Sequence, residues 1–253
     1  MVTCSIIGSG NVASWFAYTI CKHGGTIRQV YSPTLAHAEQ LAATCQAEAI
    51  DNLSQLLPQS DFYLLSIKDD SYQSQLEQLP FILPMAVHTA GSLSMNILKT
   101  YAHRYGVIYP YQTISRQSDF DRLPVPLCVE ACDEPTTAQL LQWAEQWSAK
   151  STVVSEEQRA YLHVAAVFAS NFTNAMYGVA HEILTSRQIP FEMIMPLLEQ
   201  TLEKVKTLSP AEVQTGPAIR DDQQTMEKHL AILENEELRT IYRLISNRVK
   251  GEG

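Results

Sequence analysis

The chain has 253 residues, with 18 Lys and Arg against 27 Asp and Glu, and a formal charge of −9. That balance argues against a nucleic-acid surface, and a hydrophobic share of 45% beside a charged share of 18% excludes a disordered chain. No apolar stretch reaches the length of a membrane span, and the first residues read as strand, so neither a membrane anchor nor a signal peptide is expected.

Thr3-Cys4-Ser5-Ile6-Ile7 reads as a buried strand that runs directly into Gly8-Ser9-Gly10-Asn11-Val12-Ala13, a GxGxxA pattern opening a helix. In that context Gly8 turns the chain tightly, Gly10 lets backbone approach a pyrophosphate, and Ala13 lets the helix pack near the sheet. Unpaired first-turn amides and the helix dipole then favour an anion without any basic side chain. An ordinary glycine turn between strand and helix is the competing reading.

Thr26 to Tyr31 has strand character, and Thr34 to Cys45 repeats Ala and Leu at helical spacing. A short strand near Ala47 to Ile50 and a helix from Leu53 lead to Asp61 to Ile67, an apolar run typical of a central parallel strand. Met85 to His88 and Gly106 to Tyr109 extend the pattern; Val125 to Glu130 and Ser151 to Val154 close it, with a helix from Thr136 to Ser148 between them. Such alternation predicts an α/β fold, a doubly wound parallel Rossmann sheet over residues 1–154. From Ser155 helical periodicity takes over: one long helix to about Arg187, another from Pro190 to about Thr207, and one or two more across 225–249. Residues 155–253 are therefore expected to form an all-helical domain serving substrate binding and dimerisation. Cys4, Cys21, Cys45, Cys128 and Cys132 form no CxxC pair; reduced thiols in a cytoplasmic protein are expected, and no metal is assigned.

A Rossmann site for NAD usually carries Asp or Glu after the second strand. Here Tyr31-Ser32-Pro33-Thr34 has no carboxylate, so NADP is favoured over NAD, with Ser32 and Thr34 as donors to a 2′-phosphate. The usual arginine is also missing; Arg28 and His37 are the nearest cations. Ser32-Pro33-Thr34 is equally compatible with a capped helix start.

With these features the chain carries Ser66-Ile67-Lys68-Asp69-Asp70, His88-Thr89-Ala90-Gly91-Ser92, Tyr109-Pro110-Tyr111-Gln112-Thr113, His163 to Asn171 and Thr215 to Asp222 in order. In this it resembles the bacterial Rossmann-like NADP oxidoreductases with a helical C-terminal domain of unassigned function. These belong with the pyrroline-5-carboxylate reductase, 6-phosphogluconate dehydrogenase and 3-hydroxyisobutyrate dehydrogenase superfamily. The resemblance covers nearly the whole chain and implies the fold and a nicotinamide cofactor, with Gly8, Ser9, Gly10, Asn11, Val12, Ser66, Ile67, Lys68, Thr89 and Gly91 at the cofactor. Hydroxyacid dehydrogenases of that superfamily place a lysine four residues before an asparagine on the interdomain helix. Here the corresponding residues are Val167, before Asn171, and Ser170, before Asn174. That departure leans toward the imine-reducing relatives, or toward a protein without turnover.

His163 suits a general acid, since imidazole titrates near neutrality; a structural histidine satisfied by a helix neighbour reads the same. Asn171, about 12 Å further along the helix axis, would contact a different part of a ligand. Arg220 could grip a substrate carboxylate, or pair with the Asp221 or Asp222 that caps a helix. The expected activity is hydride transfer between nicotinamide and a small polar carbonyl or imine in a homodimer. A non-catalytic NADP-binding regulatory or scaffold protein is the alternative.

Overall fold

The computed structural model describes residues 2–251; Met1, Glu252 and Gly253, at the ends of the two expected domains, lie outside the described residues. The chain opens β1 (Thr3–Ile7), α1 (Asn11–Lys22), β2 (Thr26–Tyr31), α2 (Leu35–Cys45), β3 (Glu48–Ile50) and β4 (Phe62–Leu65). It continues through a short α3 (Tyr72–Leu76), β5 (Leu83–His88), β6 (Ala102–Pro110), β7 (Leu127–Ala131), α4 (Glu134–Trp147) and β8 (Ser151–Val153). Among the described residues these strands form one sheet in the order β3-β2-β1-β4-β5-β6-β7-β8.

The first six strands run parallel in the doubly wound order, but β7 pairs antiparallel with β6, and β8 runs parallel to β7. The expected doubly wound parallel sheet is present and is corrected only at the β6–β7 pairing. The cause is the connection: a parallel return requires a crossover spanning the sheet, usually a helix. Residues 111–126 contain none, so the chain turns back at the edge it has just reached. A second correction concerns the helix expected from Leu53. It is a single 3₁₀ turn, Leu53–Gln55, capped by the Asn52 side chain and stopped at Leu56, which is extended.

β4 explains why the sheet is covered on both faces. All four of its residues are buried, and successive side chains point to opposite sides. Phe62 and Leu64 enter one core with Trp15, Phe16, Leu41, Trp143 and Trp147 from α1, α2 and α4. Tyr63 and Leu65 enter the other with Leu53, Tyr72 and Leu76. Phe62 lies 4.9 Å from the Trp143 ring, which lies 6.2 Å from Trp147, so large aromatic areas close the first core.

From Ser155 the chain is helical: α5 (Glu156–Ala166), a π-helical segment Val167–Phe172, α6 (Thr173–Thr185), α7 (Met195–Val205), a one-turn α8 (Pro210–Val213), α9 (Gln223–Ile232) and α10 (Glu236–Lys250). Ser155 starts α5 through a reciprocal cap with Gln158. By packing, the chain divides into two compact units, one reaching to Met176 and one from Tyr177 onward. Thus α5 packs with the sheet. No helix among the described residues is long and apolar enough to cross a membrane.

Candidate active site

β1 and β4 are neighbours whose following segments leave in opposite directions, toward β2 on one side and β5 on the other. At such a switch point the carboxyl ends of the strands open a crevice. A cleft of about 720 Å³ lies there, lined entirely from the first unit. Gly8 forms its floor with φ +123°, and a Cβ on it would lie 2.1 Å from the Ser66 carbonyl oxygen. Gly10, by contrast, faces open space: a Cβ there would meet nothing within 4 Å.

The first helical bond of α1 runs from Ser14 N to the Gly10 carbonyl, so the amides of Asn11, Val12 and Ala13 have no acceptor within the helix. Gly10 offers no side-chain cap, and no acid occupies the first turn. These bare amides at the positive end of a helix, with Gly10, Asn11 and Val12 lining the cleft, fit the pyrophosphate of a dinucleotide. Ser9, Ser32, Ser66, Ile67 and Lys68 line the same cleft, as do Tyr31 and Asp69. Thr34 does not; it stands at the N-terminal boundary of α2 without a side-chain capping bond, and its amide donates to the Ser32 hydroxyl at 3.4 Å.

The segment 111–126 crosses the glycine loop as a strap. The Asn11 side-chain amide donates to the Ile114 carbonyl at 3.1 Å, and Arg116 donates to the Ser9 carbonyl at 2.8 Å. A second cavity of about 540 Å³ lies under the strap, among Trp15, Tyr18, Tyr111 and Trp147, but none of the glycine-loop residues lines it.

At the far end of the cleft Thr89, Ala90, Gly91 and Ser92 meet His163. A Cβ on Gly91 would sit 2.7 Å from His163 Nδ1 and 3.1 Å from the Tyr109 ring, so only glycine allows this approach. Tyr109 Oη and His163 Nδ1 are 3.0 Å apart. Burial pushes the Tyr109 hydroxyl up to about 12, so it keeps its proton at neutral pH and can donate to Nδ1. Nε2 is then the imidazole nitrogen available for chemistry.

Arg159 fixes this end. Its side chain is 1% exposed, and Nη1 donates to the carbonyls of Ala90, Gly91 and Leu93 at 3.1, 3.0 and 2.7 Å. Nη2 reaches Glu130 at 3.1 Å, and the other Glu130 oxygen accepts the Glu156 amide at the start of α5 at 2.8 Å. One buried cation therefore joins the loop after β5 to the helix carrying His163. Arg159 lies one turn before His163, a spacing that puts both on one face of α5; that is the signal by which sequence reasoning could have found it.

His88, at the end of β5, is buried, and its Nδ1 accepts the Ala90 amide at 3.2 Å. Burial first, and the nearby Arg159 charge second, lower its pKa to about 3, so it stays neutral. The unfolded chain takes up a proton near pH 6.5 whereas the fold resists until about 3, so stability falls as pH drops through that window. Urea titrations between pH 6 and 4 should show a shallower loss for His88→Asn than for the wild type, by up to about 1.4 kcal/mol per pH unit. Identical slopes would assign the acid sensitivity elsewhere.

Asn171 and Asn174 are exposed, with no hydrogen-bond partner for their side chains among the described residues, so neither has buried amide cost to offset; Asn171 sits on the π-helical segment. Arg220 belongs to the second unit, exposed in the turn before α9. There Asp222 caps the helix through the Thr225 amide, and Asp221 pairs with Lys250.

A solved structure described as a "putative NADP oxidoreductase" from Bacteroides fragilis is 36% identical to this chain, covers 99% of it and 98% of its own length, and superposes with a TM-score of 0.91. The chain belongs to that NADP oxidoreductase family. The family model "NADP oxidoreductase coenzyme F420-dependent" matches residues 3–84, and "Domain of unknown function (DUF2520)" matches 125–249. Two more distant structures share the fold. A 1-pyrroline-5-carboxylate reductase from Streptococcus pyogenes is 13% identical over 99% of this chain and 98% of that one, with a TM-score of 0.69. A reductive aminase from Aspergillus terreus, in complex with NADPH and ethyl levulinate, is 16% identical over 100% and 95%, with a TM-score of 0.72. No curated protein matches the chain.

Proposed function

We propose that this NADP oxidoreductase reduces a small polar carbonyl or imine with NADPH, at the cleft between the glycine loop and His163. The observation that carries the reading is the cleft itself, with bare α1 amides at one end and a histidine held by tyrosine at the other. Bound NADPH supplies the hydride. The α1 amides hold the pyrophosphate, the loop Thr89 to Ser92 frames the reacting end, and His163, oriented by Tyr109, gives a proton to the substrate oxygen or nitrogen. Two fold relatives reduce or aminate C=N or C=O substrates by name, which supports that class.

The test is NADPH oxidation across ketoacids, cyclic imines and semialdehydes. Turnover of at least one class is expected, with His163→Gln lowering kcat about a hundredfold and leaving NADPH affinity within twofold. Dinucleotide binding without turnover across the panel would instead support a regulatory or scaffold protein, the reading favoured by the absent superfamily lysine.

The same proposal includes a two-fold homodimer. On the first unit Tyr161 (72% exposed), Val164, Phe168 and Phe172 form an apolar stripe along the helix; the second unit by itself exposes Met193, Leu197, Leu202 and Leu244. Pairing is the commonest way to bury such surface. Sedimentation at micromolar concentration should give about twice the 28.3 kDa chain mass, and a monomer mass would remove the dimer.

A further inference from the structure

The turn after β2 raises a question of charge. Ser32-Pro33-Thr34 contains no cation; Lys68 lines the cleft but follows β4, on the other side of β1 from the β2 turn, and Arg28 and His37 are exposed and make no contact with the glycine loop. A phosphate monoester on the adenosine ribose would be a dianion in need of one. We infer that Arg116, brought from the strap some eighty residues away, is the cation that selects NADP over NAD. This rests on the dinucleotide reading above and adds the residue that decides between the two cofactors.

The placement follows from the sheet. The Gly8 amide donates to the Tyr31 carbonyl at 2.9 Å, so Ser9 and Ser32 leave β1 and β2 side by side, on adjacent strands about 5 Å apart. Both line the cleft. The Arg116 guanidinium is bonded to the Ser9 carbonyl at 2.8 Å and to the Gln40 side-chain oxygen of α2 at 3.0 Å. It therefore bridges the glycine loop and the helix that follows Ser32. Arg116 itself lines a smaller cavity with Ser14, Gln40, Leu41 and Thr44, and meets the cleft through the Ser9 carbonyl.

Its partners are equally informative. Both acceptors are neutral, and among the described residues no carboxylate lies within ion-pair distance of Arg116. Three other cations of the first unit are ion-paired, Lys22 with Asp121, Arg122 with Asp119 and Arg159 with Glu130, whereas the guanidinium of Arg116 is held at the glycine loop by neutral acceptors alone. Arg116 keeps its full charge and spare N–H donors in a planar fork suited to phosphate oxygens. A guanidinium held at the glycine loop by neutral acceptors can exchange one of them for a dianion at little cost.

Fluorescence titrations of NADPH and NADH against the full chain test this. Arg116→Ala should weaken NADPH about ten- to a hundredfold and leave NADH within twofold, and Arg116→Lys should recover part of the loss. Gln40→Ala, which removes the tie to α2 but keeps the charge, should leave the NADPH-to-NADH ratio unchanged. Equal weakening of both cofactors by Arg116→Ala would make Arg116 a staple of the strap, and unchanged NADPH affinity would remove it from the site; either overturns the inference. Wild-type protein that binds neither dinucleotide would refute the cleft reading itself, and wild-type protein that binds both equally would refute NADP selection before any variant is made.

Discussion

Arg159→Met should lower the free energy of unfolding by about 3–5 kcal/mol, the loss typical when one partner of a buried ion pair is removed. The magnitude follows from what the guanidinium touches. Three carbonyls of one loop and the Glu130 carboxylate converge on a side chain withdrawn from water, and methionine, though similar in length, donates to none of them. The carbonyls of Ala90 and Gly91 would be left without a donor in a dry site, at further cost. Arg159→Lys should recover only part of the stability, because a single ammonium cannot span the loop carbonyls and Glu130 as the fork does. Urea unfolding measures this directly, and a methionine variant within 1 kcal/mol of wild type would show the network to be marginal. In a variant that still folds, kcat should fall more than NADPH affinity, since the freed loop is the one that seats Gly91 against His163.

The two glycines of the nucleotide loop should fail in opposite ways. Gly8→Ala puts a methyl group 2.1 Å from the Ser66 carbonyl oxygen at a backbone φ of +123°, so overpacking and strain add to several kcal/mol and much of the chain should be insoluble or molten. A Cβ on Gly10 meets nothing within 4 Å and the backbone φ there is −77°, so Gly10→Val should fold with a Tm near that of the wild type. Its branched side chain would instead fill the space beside the bare α1 amides and abolish detectable binding of NADPH and NADH alike. Thermal melts paired with cofactor titration separate the outcomes. A folded Gly10→Val protein that binds dinucleotide normally would remove the central claim about this cleft.

Much of the first unit is legible in the chain because its strands report burial locally. β1, β2 and β5 stand where apolar runs end at glycine, proline or polar turns, and the GxGxxA pattern marks the switch point before any topology is known. What escapes is whatever depends on direction or on contacts distant in sequence. Whether β7 runs with or against β6 is decided by the absence of a crossover in 111–126, a segment whose own composition says little. Arg116 and Arg159 have the same difficulty: one acts across 107 residues at Ser9, the other across 68 at Gly91. His163 draws attention from sequence as a titratable group on a helix, but its tie to Tyr109 exists only because α5 lies over the sheet end. Asn171 shows the converse, an amide that looks costly in an apolar helix yet stands exposed on the π-helical segment.

The reversal between β6 and β7 has a consequence for how this protein can vary. In the parallel half every connection must carry the chain from one edge of the sheet to the other, so its length is tied to the depth of the sheet. Residues 111–126 leave and re-enter at the same edge, free of that geometric toll. Insertions and deletions there would reshape the roof over the glycine loop while every strand kept its register. The fold thus places its most length-tolerant segment directly above the nucleotide loop, a position from which cofactor and substrate preference can drift without the sheet being rebuilt.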